Sequence, residues 1–176
     1  LNALYGIIPR EARGARDTVL NLADIFRYFL DTRKTLVPLA EELRIVRAYL
    51  DIERLRLGDK LHVAVDAAPA ALEVPIPVLS MQPLVENAVK HGIAPLSAGG
   101  QISIEARREP DGGVYVAVSD TGRGFRDNPQ GGVGLENVRR RLELSYGGAA
   151  QMDIYSGPQG STVSLLVPAP ALEAVR

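Results

Sequence analysis

The segment Met81–Gly92 gathers several side chains that can do chemistry within a short stretch. On a helix its apolar residues share one face, and the other face carries Glu86, Asn87, Lys90 and His91. An amide oxygen such as that of Asn87 is a hard ligand suited to Mg²⁺, and a lysine three positions on can contact a phosphate as a point charge. The pattern therefore indicates a magnesium and phosphate site, although an ordinary amphipathic helix with a solvated polar face explains it equally.

Two glycine-bearing loops follow later in the chain. Asp120-Thr-Gly-Arg-Gly-Phe125 ends a predicted strand; its glycines let the backbone approach a ligand, and its aspartate can accept a hydrogen bond from an amine such as that of adenine. Gly131-Gly-Val-Gly134 opens a predicted helix, whose free N–H groups can bind phosphates, but it matches neither the P-loop nor the Rossmann pattern. Taken alone, the first loop is better explained as a turn, and the second can be a flexible hinge.

The composition limits the classes of function. The chain has 176 residues, 46% of them hydrophobic, and a net charge of −1, which suits one packed domain or a small domain with a helical extension. With no cysteine and two histidines, His62 and His91, it excludes disulfides, thiolate metal sites and multi-histidine metal sites. It has no basic patch with interleaved aromatic residues, no signal peptide and no apolar run of about 18 residues. Because the chain starts without methionine and as if inside a helix, we expect a fragment whose parent could contain membrane segments.

Helical periodicity predicts a hairpin at the start of the chain. A short apolar helix end breaks near Pro9, and a longer helix follows, for which Asp17 or Thr18 is the expected cap. The longer helix carries an apolar stripe that includes Phe26 and Phe29. A stripe this long and aromatic can pack on the rest of the chain or on a second copy in a bundle.

The remaining elements place the two loops and the polar helix. A helix over 38–58 has Glu41 and Glu42 near its start and basic residues near its end, as a helix dipole favours, and we assign these charges to a solvated face. We expect Ser80 to cap the polar helix and Gly92 to end it. The other predicted elements are strands over 61–66, 101–107, 114–119, 151–155 and 161–167, a helix over 135–146, and a loop over 67–77.

Three motifs follow one another along the chain. They are Glu86-Asn-x-x-Lys-His91, Asp120-x-Gly-x-Gly124 and Gly132-x-Gly-Leu135. Together they resemble the N, G1 and G2 boxes of the GHKL ATP-binding domain, and Gly160-Ser-Thr162 looks like its last box. Segments such as Tyr49-Leu-Asp-Ile-Glu-Arg-Leu-Arg56 and Gly134-Leu-Glu-Asn-Val-Arg-Arg-Arg-Leu142 resemble the LytS/YehU-type sensor histidine kinases within that superfamily. The likeness covers nearly the whole chain, up to about Pro168.

This resemblance implies an α/β two-layer sandwich, the Bergerat or GHKL ATP-binding fold, in which a mixed and mostly antiparallel sheet carries helices on one face. A helical hairpin would precede the sandwich. We therefore expect a partial dimerisation and phosphotransfer hairpin over residues 1–36, the ATP-binding catalytic domain over 37–170, and a tail over 171–176.

The resemblance also implies roles for single residues. Asn87 would ligate the Mg²⁺ ion that bridges the ATP phosphates, and Glu86 would help to polarise or position the transferred group. Asp120 would bind the adenine amino group with support from Thr162, and Phe125–Gly132 would form a short lid. Lys90 and His91 would contact phosphates or ribose, and Gly122 and Gly124 would give room for the base. Gly132 and Gly134 would bring N–H groups to the phosphates, and Leu135 is also implied as a nucleotide-binding residue.

The implied function is the ATP-binding catalytic part of a two-component sensor histidine kinase, which transfers the γ-phosphoryl group of ATP to a histidine and then to an aspartate of a response regulator. The resemblance suggests a LytTR-type regulator, a homodimer through the hairpin in the full protein, and no nucleic acid as partner. This part would be cytoplasmic, in a parent of the bacterial inner membrane.

The acceptor of the phosphoryl group is the point of departure from the family. Neither His62 nor His91 stands where these kinases carry it, so we expect the fragment to bind ATP without autophosphorylation. The alternatives are a GHKL ATPase or an anti-sigma-type protein-serine kinase, and a pseudokinase whose nucleotide pocket stabilises a scaffold.

Overall fold

The computed structural model describes residues 1–30, 34–124 and 132–169. The predicted tail over 171–176 lies outside these ranges, as do residues 31–33 of the predicted hairpin and all of the predicted lid except Gly132. Within the described ranges, no helix is both long enough and apolar enough to cross a membrane.

Alternating apolar residues build the main sheet of the described chain. Its strands are β2 (Leu61–Ala67), β4 (Gly100–Arg108), β5 (Val114–Asp120), β6 (Gln151–Gly157) and β7 (Gly160–Val167). They lie in the order β2-β4-β5-β7-β6, with β2 parallel to β4 and the other pairs antiparallel. The predicted mixed and mostly antiparallel sheet is confirmed. The parallel pair requires a long crossover connection, and that connection contains the polar helix.

The two faces of this sheet differ in polarity because successive side chains of a strand point in opposite directions. Ile102 and Ile104 of β4 are buried on one face, whereas His62 and Glu105 are exposed. The helices that pack on the buried face are α3 (Leu39–Leu57), α5 (Met81–Asn87) and α6 (Val133–Tyr146). The structure is thus the predicted two-layer sandwich, and His62 is an exposed strand residue as expected.

The helical hairpin consists of α1 (Asn2–Ile7) and α2 (Arg13–Leu30). The prediction that Asp17 or Thr18 caps the second helix is wrong, because that helix begins at Arg13. The Thr18 hydroxyl instead donates to the carbonyl of Gly14, 2.8 Å away, which is the backbone contact that threonine makes inside a helix.

The aromatic residues of the apolar stripe of α2 are not the ones that pack on the rest of the chain, which was one of the two alternatives for this stripe. Ile25 and Tyr28 are the residues of α2 that are buried, and they pack against α3. Phe26 and Phe29 remain 50% and 39% exposed. The face of α2 that packs on the domain is therefore the one with Ile25 and Tyr28. The face with Phe26 and Phe29 stays partly exposed to solvent.

The segment over 67–77, predicted as a loop, contains two short elements. These are α4 (Pro69–Leu72) and the strand β3 (Pro75–Pro77), which pairs antiparallel with β1 (Leu36–Pro38). The register places Val37 opposite Ile76, and both side chains are buried. Burial of this pair stabilises an extended ribbon that the proline-rich sequence alone did not predict.

The polar helix changes its hydrogen-bonding pattern midway. It is an α-helix to Asn87 and a π-helix over Ala88–Ile93, so it runs one residue beyond the predicted end at Gly92. The expected Ser80 cap is also wrong, because the Ser80 hydroxyl donates to the Pro77 carbonyl at 2.6 Å and leaves the helix start to other groups. The predicted apolar face is confirmed by the burial of Met81, Leu84, Val85, Ala88 and Val89.

Candidate functional site

Asp120 is the last residue of β5, and its carboxylate is held in a defined orientation. Oδ1 accepts the backbone N–H of Gly122 at 2.8 Å, and Oδ2 accepts the hydroxyl of Ser161 from the neighbouring strand β7. The residue is 7% exposed. Each carboxylate oxygen has further lone-pair capacity, so the group can still accept a hydrogen bond from a ligand.

Glycines surround this carboxylate because no side chain would fit. A Cβ added at Gly92, in the π-helical turn, would lie 2.5 Å from Asp120 Oδ1. One added at Gly122 would lie 2.3 Å from the Cα of Gly92. The end of the polar helix and the aspartate loop are therefore in direct backbone contact, as the prediction of one shared site requires.

Gly124 and Gly160 fix the same loop from its other side. Gly124 has φ +69, and a Cβ there would lie 2.3 Å from the carbonyl oxygen of Gly157. Gly160 has φ +131, and a Cβ there would lie 1.9 Å from the carbonyl oxygen of Asp120. Positive φ angles and such close approaches exclude other residues, so the glycine positions are a requirement of the backbone packing.

A small pocket opens beside Asp120. Its volume is about 180 Å³, and it is lined by Asp120, Tyr155, Gly157, Pro158, Gln159, Gly160, Ser161 and Thr162. The lining combines one carboxylate, two hydroxyls and backbone surface with the ring of a tyrosine. A flat heterocycle that carries an amino group complements this mixture, since the amine can donate to the carboxylate.

The resemblance implied that Thr162 supports Asp120. In the structure the hydroxyl that donates to Asp120 is that of Ser161. The Thr162 hydroxyl lies 2.9 Å from that of Ser119, its register partner on β5. Alternation along β7 decides the difference, because neighbouring residues of a strand point to opposite faces. Thr162 nevertheless lines the pocket, and its role toward a ligand stays a prediction.

The polar face of the helix carries its side chains as predicted. The Glu86 carboxylate accepts hydrogen bonds from Gln82 Nε2 at 3.2 Å and from Lys90 Nζ at 2.8 Å. The Lys90 side chain is largely exposed, and His91 is exposed as well. An exposed ion pair contributes about 1 kcal/mol or less, so Lys90 can be redirected to an anionic ligand at small cost.

Asn87 provides the test for a magnesium ion. Its Nδ2 is a buried side-chain nitrogen without a hydrogen-bond partner, so that end of the amide is not anchored by the surrounding protein. No group of three or more His, Asp or Glu residues that could hold a metal occurs in the described parts of the chain. Mg²⁺ bound to phosphates takes one or two protein oxygens and keeps waters, so the atom of Asn87 that fits this ion is its side-chain oxygen and not the Nδ2.

The start of helix α6 lies close to the polar helix. Gly132 precedes the first turn, and a Cβ added at Gly134 would lie 3.5 Å from the Cβ of Pro83. The Leu135 N–H donates to the Gly132 carbonyl at 3.1 Å, and its side chain is buried in the core. The first N–H groups of this helix remain available for an anion, whereas the Leu135 side chain cannot contact one.

A second pocket lies at this end of the polar helix. Its volume is about 110 Å³, and its lining residues are Phe29, Leu79, Gln82, Pro83, Glu86, Gly134, Asn137 and Arg141. The structure thus groups the predicted site residues at two ends of one helix: Asp120 and Thr162 at one end, Glu86 and Gly134 at the other. The helix Met81–Ile93 connects the two groups.

Sequence reasoning overlooked Glu42. It was assigned to a solvated face, but it is 1% exposed and contacts the start of the polar helix. One signal was present: Glu42 lies three residues after Leu39 and four before Val46, so it falls on the apolar stripe of α3. Ser161 was named as part of a motif, but only the strand register identifies it as the partner of Asp120.

Comparison with known proteins agrees with this geometry. The family model of histidine kinases matches residues 1–61, and that of histidine kinase-, DNA gyrase B-, and HSP90-like ATPases matches residues 78–171. The sensor protein LytS of Staphylococcus saprophyticus is 31% identical over 187 residues, which cover 98% of this chain and 32% of LytS. The sensor histidine kinase BtsS of Escherichia coli is 30% identical over 178 residues, which cover 96% of this chain and 30% of BtsS.

Solved structures show the same fold. The histidine kinase domain of the Erythrobacter litoralis EL346 blue-light activated histidine kinase superposes with a TM-score of 0.61 and 20% identity, and the match covers 90% of this chain and 81% of that domain. At this identity the likeness concerns the fold. The chain spans about a third of the length of the curated relatives it matches.

Proposed function

The chain belongs to the histidine kinase-, DNA gyrase B- and HSP90-like ATPase family, and from this premise we propose that it is the ATP-binding catalytic part of a LytS-type sensor histidine kinase. The observation that carries the proposal is the close approach of Gly92 to the Asp120 carboxylate and to the backbone of Gly122. It joins the polar helix to the aspartate pocket, so that one extended ligand can reach both. A purine nucleotide has the matching parts, with a base at one end and phosphates at the other.

The base occupies the pocket beside Asp120. Its exocyclic amino group donates to the Asp120 carboxylate, which Gly122 N–H and the Ser161 hydroxyl hold in place. Thr162 belongs to the lining of this pocket. Gly122 and Gly124 do not line it, because their missing side chains let the loop pack on the backbones of Gly92 and Gly157, and their role toward the base rests on the resemblance. A guanine base presents a carbonyl oxygen at the corresponding position, which the carboxylate would repel, so the pocket favours adenine.

The phosphates lie along the polar helix toward the start of α6. Lys90 and His91 supply positive charge or hydrogen-bond donors, and the N–H groups near Gly132 and Gly134 face the phosphates at a positive helix end. Asn87 would hold a magnesium ion through its side-chain oxygen, and that ion would neutralise charge on the phosphates, while Glu86 beside it would help to polarise or position the transferred group. These groups position ATP, which is the main task of a protein in phosphoryl transfer.

The phosphoryl group passes to a histidine in another segment of the whole protein. An imidazole nitrogen forms the new bond to the γ-phosphorus while the bond to the ADP oxygen breaks. An aspartate carboxylate oxygen of a response regulator then bonds to this phosphorus while the nitrogen–phosphorus bond breaks and the imidazole is released. The resemblance suggests that the regulator is of the LytTR type. His62 is unsuited as acceptor, since it lies on the face of the sheet opposite to the helices that carry the proposed phosphate groups. The open Phe26 and Phe29 face of α2 suits pairing with a second hairpin in a homodimer. As part of the same proposal, the domain lies in the cytoplasm and the parent protein in the bacterial inner membrane, as the resemblance suggests.

Calorimetry with ATP, with and without Mg²⁺, tests the site. Wild type should bind, Asp120→Ala should abolish binding, and Asn87→Ala should mainly remove the dependence on Mg²⁺. Asp153→Ala, a change on an exposed strand position of β6, is the matched control and should bind as wild type does. Binding that survives Asp120→Ala would defeat the assignment.

A second experiment separates the classes of activity. The chain is mixed with [γ-³²P]ATP, Mg²⁺ and a separate peptide that carries the acceptor helix of a LytS-type kinase. Acid-labile label on the peptide supports the histidine kinase. Steady release of inorganic phosphate without labelling supports a GHKL ATPase, and label on a serine-containing protein substrate supports a serine kinase.

A further inference from the structure

Glu42 of helix α3 is a buried carboxylate whose hydrogen bonds reach two other elements. Oε1 accepts the Tyr28 hydroxyl from α2 and the backbone N–H of Leu79 at 2.7 Å. Oε2 accepts the backbone N–H of Met81, also at 2.7 Å. Because Met81 is the first residue of α5, the carboxylate supplies the negative group at the helix start that Ser80 does not provide.

Leu79, one of the two residues whose backbone Glu42 binds in this way, has a strained backbone. Its φ is +59, which makes it the one non-glycine residue with positive φ among the described residues. For a leucine this conformation is unfavourable and requires support from the surroundings. The support comes from both sides, since its N–H donates to Glu42 and its carbonyl accepts from Arg141 Nη1 of α6 at 2.8 Å.

These contacts form a continuous chain of four residues, Tyr28, Glu42, Leu79 and Arg141, which we name the Glu42 linkage. It begins on the hairpin helix α2, passes through α3 and the start of α5, and ends on α6. Helices α5 and α6 are the two that carry the predicted phosphate-binding groups. The linkage therefore connects the hairpin with both sides of the phosphate end of the site.

We propose that Glu42 is a positioning residue for the nucleotide, and that the Glu42 linkage couples the position of hairpin helix α2 to the relative placement of α5 and α6. The inference rests on the proposed function, because it assumes that these two helices hold the ATP phosphates. A displacement of α2 moves the Tyr28 hydroxyl away from Glu42 Oε1. The same oxygen accepts the N–H of the strained residue Leu79, so the position of Leu79 changes with it. Leu79 then transmits the change to Met81 through the chain and to Arg141 through its carbonyl.

The geometry distinguishes this role from simple core packing. A hydrophobic contact would tolerate sliding of α2 on α3, whereas hydrogen bonds to a shared carboxylate weaken steeply with distance and angle. Burial raises the pKa of the Glu42 carboxyl, and the hydrogen bonds from the Tyr28 hydroxyl and from the backbone of Met81, Leu79 and Ser80 oppose that rise. These donors thus hold this group against the cost of its burial.

A double-mutant cycle on ATP affinity tests the proposal. Tyr28→Phe removes one end of the linkage and Arg141→Met the other, while the two side chains share no direct hydrogen bond in the structure. Each single change should weaken ATP binding about three- to tenfold, the effect of one hydrogen bond. If the linkage transmits position, the double variant should bind about as weakly as the weaker single variant, whereas independent sites would multiply their effects.

Controls separate positioning from stability. Tyr146→Phe removes a tyrosine hydroxyl that donates to Pro75 O outside the linkage, and Arg140→Met removes an exposed arginine next to Arg141. Both should leave ATP affinity within about twofold of wild type. Thermal unfolding of every variant in the same buffer shows whether the chain remains folded at the temperature of the binding measurement.

Failure of the ATP site and failure of the Glu42 linkage give different results. If wild type does not bind ATP, or if Asp120→Ala binds as well as wild type, the proposed function fails and the inference falls with it. If wild type binds through Asp120 but the effects of Tyr28→Phe and Arg141→Met multiply, or neither changes affinity, the inference alone is overturned. A non-multiplicative loss in variants that remain folded supports it.

Discussion

Two buried carboxylates of this chain have nearly the same partners and different uses. Asp120 accepts a backbone N–H and the Ser161 hydroxyl, and Glu42 accepts two backbone N–H groups and the Tyr28 hydroxyl. Asp120 opens onto a pocket and is bordered by glycines, whereas Glu42 is enclosed between helices. The comparison teaches that burial and hydrogen bonding do not by themselves identify a ligand site. Asp120 differs from Glu42 because its carboxylate oxygens border an open pocket and can accept a further hydrogen bond there.

The largest effect should come from removing the enclosed carboxylate. Glu42→Ala leaves the N–H groups of Leu79 and Met81 and the Tyr28 hydroxyl without their acceptor, and should lower the free energy of unfolding by about 3 kcal/mol, less than the sum of three lost bonds because the buried charge also disappears. Urea denaturation followed by circular dichroism measures it. Glu41→Ala is the control, since it breaks a partly exposed pair with Lys34 and should cost about 1 kcal/mol or less. Equal losses for the two variants would contradict the special role of Glu42.

Around the open carboxylate, the glycine border should matter most. Gly92→Ala places a methyl group 2.5 Å from Asp120 Oδ1, so the aspartate loop and the helix end must separate. We expect a loss of about 2 kcal/mol in unfolding free energy, as for overpacking, together with loss of ATP binding. Gly148→Ala is a suitable control, because no atom lies within 4 Å of the added carbon and its φ is not in the positive range. Normal ATP binding by the Gly92→Ala variant would contradict the proposal that the helix end and the Asp120 pocket form one site.

The Tyr28–Glu42 contact should show itself at alkaline pH. Burial and the Glu42 carboxylate raise the pKa of the Tyr28 hydroxyl above its ordinary value of 10.0. Above pH 10 the unfolded chain therefore loses this proton before the folded chain does, and stability falls as pH rises, by up to about 1.4 kcal/mol per pH unit for this group. Unfolding free energies between pH 9 and 11 should fall less steeply for Tyr28→Phe than for wild type. Identical slopes would show that Tyr28 is not held by Glu42.

The smallest effect is expected from removing the Ser161 hydroxyl, and it tests whether this hydroxyl or that of Thr162 supports Asp120. Ser161→Ala should cost about 1 kcal/mol of unfolding free energy and loosen the carboxylate, which weakens ATP binding several-fold. Ser164→Ala, a half-buried serine further along the same strand, is the control and should leave ATP binding unchanged. If Thr162→Val weakens binding and Ser161→Ala does not, the hydroxyl that matters is the one originally predicted.

Much of the fold could be predicted because its signals are local. Strand alternation gave the main sheet, and helical periodicity gave the buried face of Met81–Gly92 and the existence of the hairpin. Some errors were local, such as the start of α2 and the Ser80 cap. Others arose where two distant segments had to meet. The ribbon of Val37 with Ile76 and the choice of Ile25 and Tyr28 over Phe26 and Phe29 depend on packing partners that no local pattern contains.

By itself the sequence determined the order of the motifs, the apolar and polar faces of the central helix, and the glycines without which Asp120 could not be approached. These properties follow from residue type and spacing along one segment. The tertiary structure alone decided that Ser161 supports Asp120, that the helix ends in a π turn, and that Glu42 joins residues 14 positions before it and 37 after it. The physical reason is that a hydrogen bond between distant segments depends on how the helices and strands pack, and packing is a property of the whole chain.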